Sequence, residues 1–196
     1  MNTLKAEKRD MAIKAKKLRR EGYVTGNVFG KEIEGSIPIK IEKTAVDRLL
    51  KTSNKGSQIM LDVDGQPMDV LIKEVDFNPL KGQVDEIDFQ ALVKGEKVHS
   101  VAEVVLVNHD KVMGGVLQLL LEEISYRALP GDLVEKVSID VGDLKVGESI
   151  KVGDLDIAKN ENIDLLTDPE AIVVTVSESH NDIPEDDSED ADSAEA

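Results

Sequence analysis

Residues 58–75, QIMLDVDGQPMDVLIKEV, decide how the chain is read. Ile59, Leu61 and Val63 alternate with other side chains, the period-two signature of a strand with one buried face. Asp64-Gly65 follows, a pair that accepts the positive φ of a tight two-residue turn. MDVLIKEV then resumes as a second strand. The stretch reads as a β-hairpin. DVDG at 62–65 has a faint likeness to a calcium loop, but such a loop spaces its acidic ligands, places glycine sixth and ends on a glutamate. Here the glycine comes directly after the second Asp, and the turn is the better account.

Upstream, residues 3–9 read as a short strand leading into Asp10, an N-cap for a helix from Met11 to Glu21 that Gly22 ends. Met11, Ala15 and Leu18 form a narrow apolar stripe on that helix, and Lys14, Lys16, Lys17, Arg19 and Arg20 cover the rest. YVTGNVFG (23–30) and SIPIKI (36–41) are extended, and a second helix runs from Lys43 to Ser53 with Ala45, Val46, Leu49 and Leu50 inward. A strand over Gln83–Val93 completes a small β-rich domain with two helices.

Lys94-Gly95-Glu96-Lys97 is a polar break. Beyond it VHSVAEVVLV, VLQLLLEEISYRAL, LVEKVSIDV, ESIKV and AIVVTVSE are short apolar or alternating runs between turn signals, the pattern of a β-sandwich or related sheet packing. After Ser177 the composition changes to ESHNDIPEDDSEDADSAEA, too polar to bury a core, and it is expected to be a disordered acidic tail. The expected fold class is mainly β. A small β-rich α+β domain with two helices (1–93) precedes a sandwich-like β domain (94–177) and the tail (178–196).

Formal net charge is −16, yet residues 1–20 carry eight basic side chains against Glu7 and Asp10, while residues 177–196 carry nine carboxylates and no Lys or Arg. Local charge governs partner choice within a Debye length of about 8 Å, so the basic head can seek a polyanion. A solvated helix face is the bland alternative. Against it, like charges at i, i+4 cost helix stability, and an anionic partner removes that cost. Nucleic acid fits better than membrane, because the stripe is narrow and lacks the Trp or Phe of an interfacial helix. Tyr23 and Phe29 are either stacking groups for bases or core residues. The tail either screens the basic head or only aids solubility.

No apolar run reaches the roughly 20 residues that span a bilayer, and the first residues lack the apolar segment of a signal peptide. The chain has no cysteine, and His99, His109 and His180 are scattered. GGV at 114–116 lacks the lysine and hydroxyl of a phosphate loop. No catalytic residue, metal, cofactor or small-molecule substrate is expected, and the location is cytoplasmic.

The order KAEKR…KAKKLRREGYV…FGKEIE, then VLIKEVDFNPLKGQVDEIDFQAL, resembles the bacterial large-subunit ribosomal protein L-twenty-five/CTC (general stress protein) family. KVMGGVLQLLLEEISYRALPGDLVEKVSIDVGDLKVGESIKVGDL resembles the C-terminal extension of its longer members. The resemblance implies a barrel that binds 5S rRNA near loop E, a mainly β second domain touching large-subunit neighbours, and no catalysis. Arg9 matches the family's first-strand arginine, and Arg19 and Arg20 its paired arginines. Phe29 stands where the family has tyrosine, and Glu86-Ile87-Asp88-Phe89 where it has His-x-Asp-Phe. Asp76-Phe77-Asn78-Pro79 replaces a basic or imidazole-bearing segment.

Asp88 can accept a hydrogen bond from a base edge or a 2′-OH. Glu86 facing phosphate at about 5 Å would repel it by roughly 1 kcal/mol in a water-like dielectric. It would also forgo an imidazole hydrogen bond worth about 1 kcal/mol, weakening binding by tens of fold. The RNA-binding set expected from these matches is Arg9, Lys14, Lys16, Lys17, Arg19, Arg20, Phe29, Glu86 and Asp88. The alternative is a diverged stress or accessory protein that keeps the fold, has lost specific 5S rRNA binding and acts through protein contacts.

Overall fold

The computed structural model describes residues 3–112 and 115–178; the acidic tail expected over 178–196 lies, past Glu178, outside the described residues. The hairpin forms as its alternation dictates. β4 (Gln58–Val63) buries Ile59, Leu61 and Val63, and the turn puts Asp64 at φ 51° and Gly65 at φ 85° before β5 (Gln66–Asn78). Around it stand β1 (Thr3–Lys8), β2 (Tyr23–Phe29), β3 (Ser36–Glu42) and β6 (Gln83–Ala91), closing a barrel in the order β1-β3-β2-β6-β5-β4. Two of its seams are parallel, β1 with β4 and β2 with β6. The core is aliphatic, built around Val28, Ile39, Leu61, Ile72 and Ile87, with Phe89 the one aromatic ring fully inside.

The β2–β6 seam admits only glycine at one point: a Cβ on Gly26 would lie 1.9 Å from the Ile87 carbonyl oxygen. That close approach lets β2 run beside β6, with Thr25 opposite Glu86 and Phe29 opposite Gln90.

Both helices are shorter than expected. α1 spans Ala15–Arg20, because Asp10 closes a turn: its carboxylate accepts the Ala12 N–H at 2.9 Å and its carbonyl the Ile13 N–H at 3.1 Å. Met11 is left 67% exposed, so the stripe comes down to Leu18, buried at 3%. α2 spans Lys43–Leu49; the N–H groups of Thr52 and Ser53 both fold back onto the Leu49 carbonyl and end it.

The second unit has two sheets over one core. β10 (Lys136–Asp140), β7 (Val98–Val107), β9 (Glu123–Ala128) and β12 (Asp164–Leu165) form one; β11 (Ser149–Lys151), β13 (Ile172–Glu178) and β8 (Gly115–Leu119) form the other. Val104, Ile124 and Tyr126 meet Val173 and Val174 between them. The run 116–129, read as one stretch, crosses from sheet to sheet. Leu120 and Leu121 still donate to Val173 of β13, whereas the Glu122 carbonyl already accepts the Val104 N–H of β7.

The two units meet at the loop after α2. Asn54 donates to Glu103 at 2.6 Å, Lys55 pairs with Glu123 at 3.0 Å, and Lys73 of β5 donates to the His99 carbonyl at 2.9 Å. Gly56 packs so tightly that a Cβ there would lie 2.1 Å from the Val101 carbonyl oxygen.

Gly26→Ala is expected to cost about 3 kcal/mol, because backbone must move to admit a methyl group. Gly35→Ala, where nothing lies within 4 Å of the added carbon, is expected to cost only the left-handed backbone penalty of about 1 kcal/mol. Urea unfolding of the two variants checks this; equal losses would remove the close approach as the reason for Gly26.

Candidate nucleic-acid interface

On β2 the inward Val24 and Val28 fix Thr25, Asn27 and Phe29 on the outer face. Beside them β6 turns Glu86 and Asp88 outward, and β5 sets Asp76 opposite Glu86 and Glu74 opposite Asp88. Asn27 ties the seam together. Its N–H donates to Asp88 Oδ1 at 2.9 Å, and its amide Nδ2 donates to Glu86 Oε1 and Asp88 Oδ1, each at 3.3 Å.

Arg19 bends from α1 onto this seam. Its Nε donates to the Asp85 carbonyl at 3.0 Å and stands 3.8 Å from the Asp85 carboxylate, and its Nη2 lies 3.9 Å from Glu86 Oε2. The guanidinium therefore anchors the helix as much as it offers charge. Asp85 is held from the other side by Asn78 Nδ2 at 3.1 Å and Gln83 Nε2 at 3.0 Å. Those two hydrogen bonds, aided by Arg19, keep its carboxyl below the usual carboxylate range. With Arg19 pinned, Lys14, Lys16, Lys17 and Arg20 point to solvent, and of these only Lys17 has an ion pair among the described residues, with Glu21 at 3.8 Å.

Arg9 follows β1 and is half-buried. Its Nη2 donates to the Ile13 carbonyl at 3.1 Å, while its buried Nε has no hydrogen-bond partner among the described residues. It acts electrostatically on Glu86 together with Arg19. Burial raises the Glu86 carboxyl above its usual value, Asp88 adds to this, and the two arginines oppose it. Phe29 is half-buried at the far end of the same face. Tyr23 is occupied differently, with the Lys40 ammonium 4.8 Å over its ring.

The structure thus brings Arg9, Arg19, Glu86 and Asp88 into one cluster, with the α1 cations beside it. Sequence reasoning missed Thr25, Asn27 and Asp85; the alternation of residues 23–29 could have exposed the first two. Chemically the face offers cations for phosphate and carboxylates for amino or hydroxyl donors. Among the described residues no group of three or more His, Cys, Asp or Glu is arranged to hold a metal ion, and no helix is long and apolar enough to cross a membrane.

The profile of the Ribosomal L25p family matches residues 4–89, nearly all of the barrel, and that of the Ribosomal protein TL5, C-terminal domain, matches residues 97–180. The chain belongs to the bacterial bL25 ribosomal protein family, in its long form. Three relatives named Large ribosomal subunit protein bL25 illustrate the likeness. That of Dictyoglomus thermophilum is 32% identical over 88% of this chain and 87% of its own. That of Syntrophomonas wolfei is 31% identical over 88% and 84%. That of Bacillus velezensis is 28% identical over 96% and 94%. Members of the bL25 family are ribosomal structural proteins, so the chain is not an enzyme.

The Glu86 environment fixes a pH dependence. Because the folded chain holds this proton more tightly than the unfolded chain, the stability difference between Glu86→Gln and the parent depends on pH. It is expected to widen in favour of the variant as pH rises from the ordinary glutamate range through the raised value. Urea midpoints at matched pH check this; a constant difference would contradict the raised value.

Proposed function

We propose that the chain is a structural component of the large ribosomal subunit that binds 5S rRNA, in its loop E region, through the barrel domain of residues 1–93. Residues 94–177 form a second domain that meets neighbouring ribosomal elements. The observation that carries this reading is the cationic α1 pinned by Arg19 beside the outer face of the β2–β6 seam. Lys14, Lys16, Lys17 and Arg20 then meet phosphates, Arg9 and Arg19 balance the local carboxylates, and Glu86, Asp88 and Phe29 line the groove-facing surface.

Arg19 lies within 3.9 Å of two carboxylates, and this favours one competing reading: an accessory protein whose RNA grip has been traded for protein contacts. Titration of labelled 5S rRNA with the full chain, beside an unrelated duplex RNA, separates the two. The ribosomal reading expects at least tenfold preference for 5S rRNA; equal, weak binding to both supports the accessory reading.

Lys14→Ala, Lys16→Ala and Arg20→Ala should each reduce the slope of log K against log salt by about 1, one phosphate contact apiece. Arg19→Ala should lower affinity more than any of them, since it also releases Asp85 and Glu86. An unchanged slope in all three would remove α1 from the RNA surface.

A further inference from the structure

Five aromatic rings are present in the chain, and four are buried or half-buried: Tyr23, Phe29, Phe89 and Tyr126. The fifth, Phe77, is 55% exposed, and Leu80 close by is 97% exposed. Both sit at the tip of the β5–β6 hairpin, where the pairing slips between Asp76 and Phe77 so that Phe77 comes opposite Val84. The tip therefore extends past the Asp76–Glu86 pair and carries apolar groups outward.

Hydrogen bonds brace the base of this tip. The Lys81 N–H reaches both the carbonyl and the side-chain oxygen of Asn78, each at 3.3 Å. Asn78 and Gln83, flanking the loop, both donate to the Asp85 carboxylate. Arg19 binds that same Asp85, so one side chain fixes the hairpin tip and the cationic helix relative to each other. Lys43, at the start of α2, reaches Gln83 at 3.3 Å, and Lys81 is exposed within the loop itself.

We propose that Phe77, supported by Leu80, is a further RNA-contacting element. Its ring stacks on an unpaired or bulged nucleobase while Lys81, Lys43 and the α1 cations take the flanking phosphates. The inference rests on the RNA-binding reading above and adds what that face alone does not supply, a π surface for a base. The charges around the tip choose the occupant. The Asp85 carboxylate is engaged by two amides and Arg19, which leaves Lys81 in the loop and Lys43 at its Gln83 flank as the cations of the tip, with Asp76 and Glu86 one rung back. A polyanion with flat apolar faces matches an exposed ring on a hairpin tip that also carries cations, and that description is RNA. Because Asp85 holds the tip, little order has to be imposed on binding. Asp85 is accordingly a positioning residue.

The test uses the full chain and 5S rRNA. Phe77→Ala should weaken binding by about tenfold with the salt slope unchanged, since a stacked base is lost and no charge is. Phe77→Tyr should restore most of the affinity. Chain carrying p-benzoylphenylalanine in place of Phe77 should photocrosslink to 5S rRNA, and thermal melts of both variants should match the parent, the residue being exposed. Parent-like affinity of Phe77→Ala, with the parent still binding 5S rRNA tightly, would overturn the stacking role and leave the wider reading intact. Crosslinking in purified large subunits to a protein instead of RNA would overturn it in favour of protein docking. Failure of the parent to bind 5S rRNA would remove both.

Discussion

The close parallel run of β2 beside β6, with Gly26 against the Ile87 carbonyl, is the constraint on which the rest of the interface depends. It closes the barrel, and it brings Asn27 within reach of Glu86 and Asp88. It also places the Asp85 carbonyl and carboxylate where Arg19 can bind them, which seats α1. A six-residue helix has little stability of its own. Leu18, buried beneath the helix, and Arg19 on the seam supply it from outside, so the exposed cations need not sustain the helix they belong to.

Much of this was legible in the sequence. The strands of the barrel bury one face, so period-two alternation set their place, and Asp64-Gly65 fixed the hairpin register through its turn. The start of α1 was not legible, because Asp10 caps a tight turn with the same carboxylate geometry that would cap a helix. The shared cluster was legible only through family likeness. Arg19 and Asp85 stand 66 residues apart, and no local pattern announces their contact. Phe77 was harder still: the extra residue Asp85 on β6 shifts its cross-strand partner to Val84 at the hairpin end, and alternation can foresee neither the bulge nor the exposure of a ring there.

The chain resolves its charge conflict by geometry. Its carboxylates are not kept away from the cations. Asp85, Glu86 and Asp88 sit among them, each with an arginine, amide or backbone donor at hand. Glu86 bears the cost of this arrangement: burial first, and then Asp88 beside it, raise its affinity for the proton. The carboxylates build the support, and the lysines on the outer side of α1 remain for a partner.

Hydrogen–deuterium exchange of the full chain with and without 5S rRNA tests the central claim most directly, because it needs no substitution and reports every amide at once. The account predicts slowed exchange concentrated in residues 14–29 and 76–88, the two segments that the β2–β6 seam joins, with the second unit little changed. Protection confined to residues 98–178, or none anywhere under conditions where the RNA is bound, would contradict it.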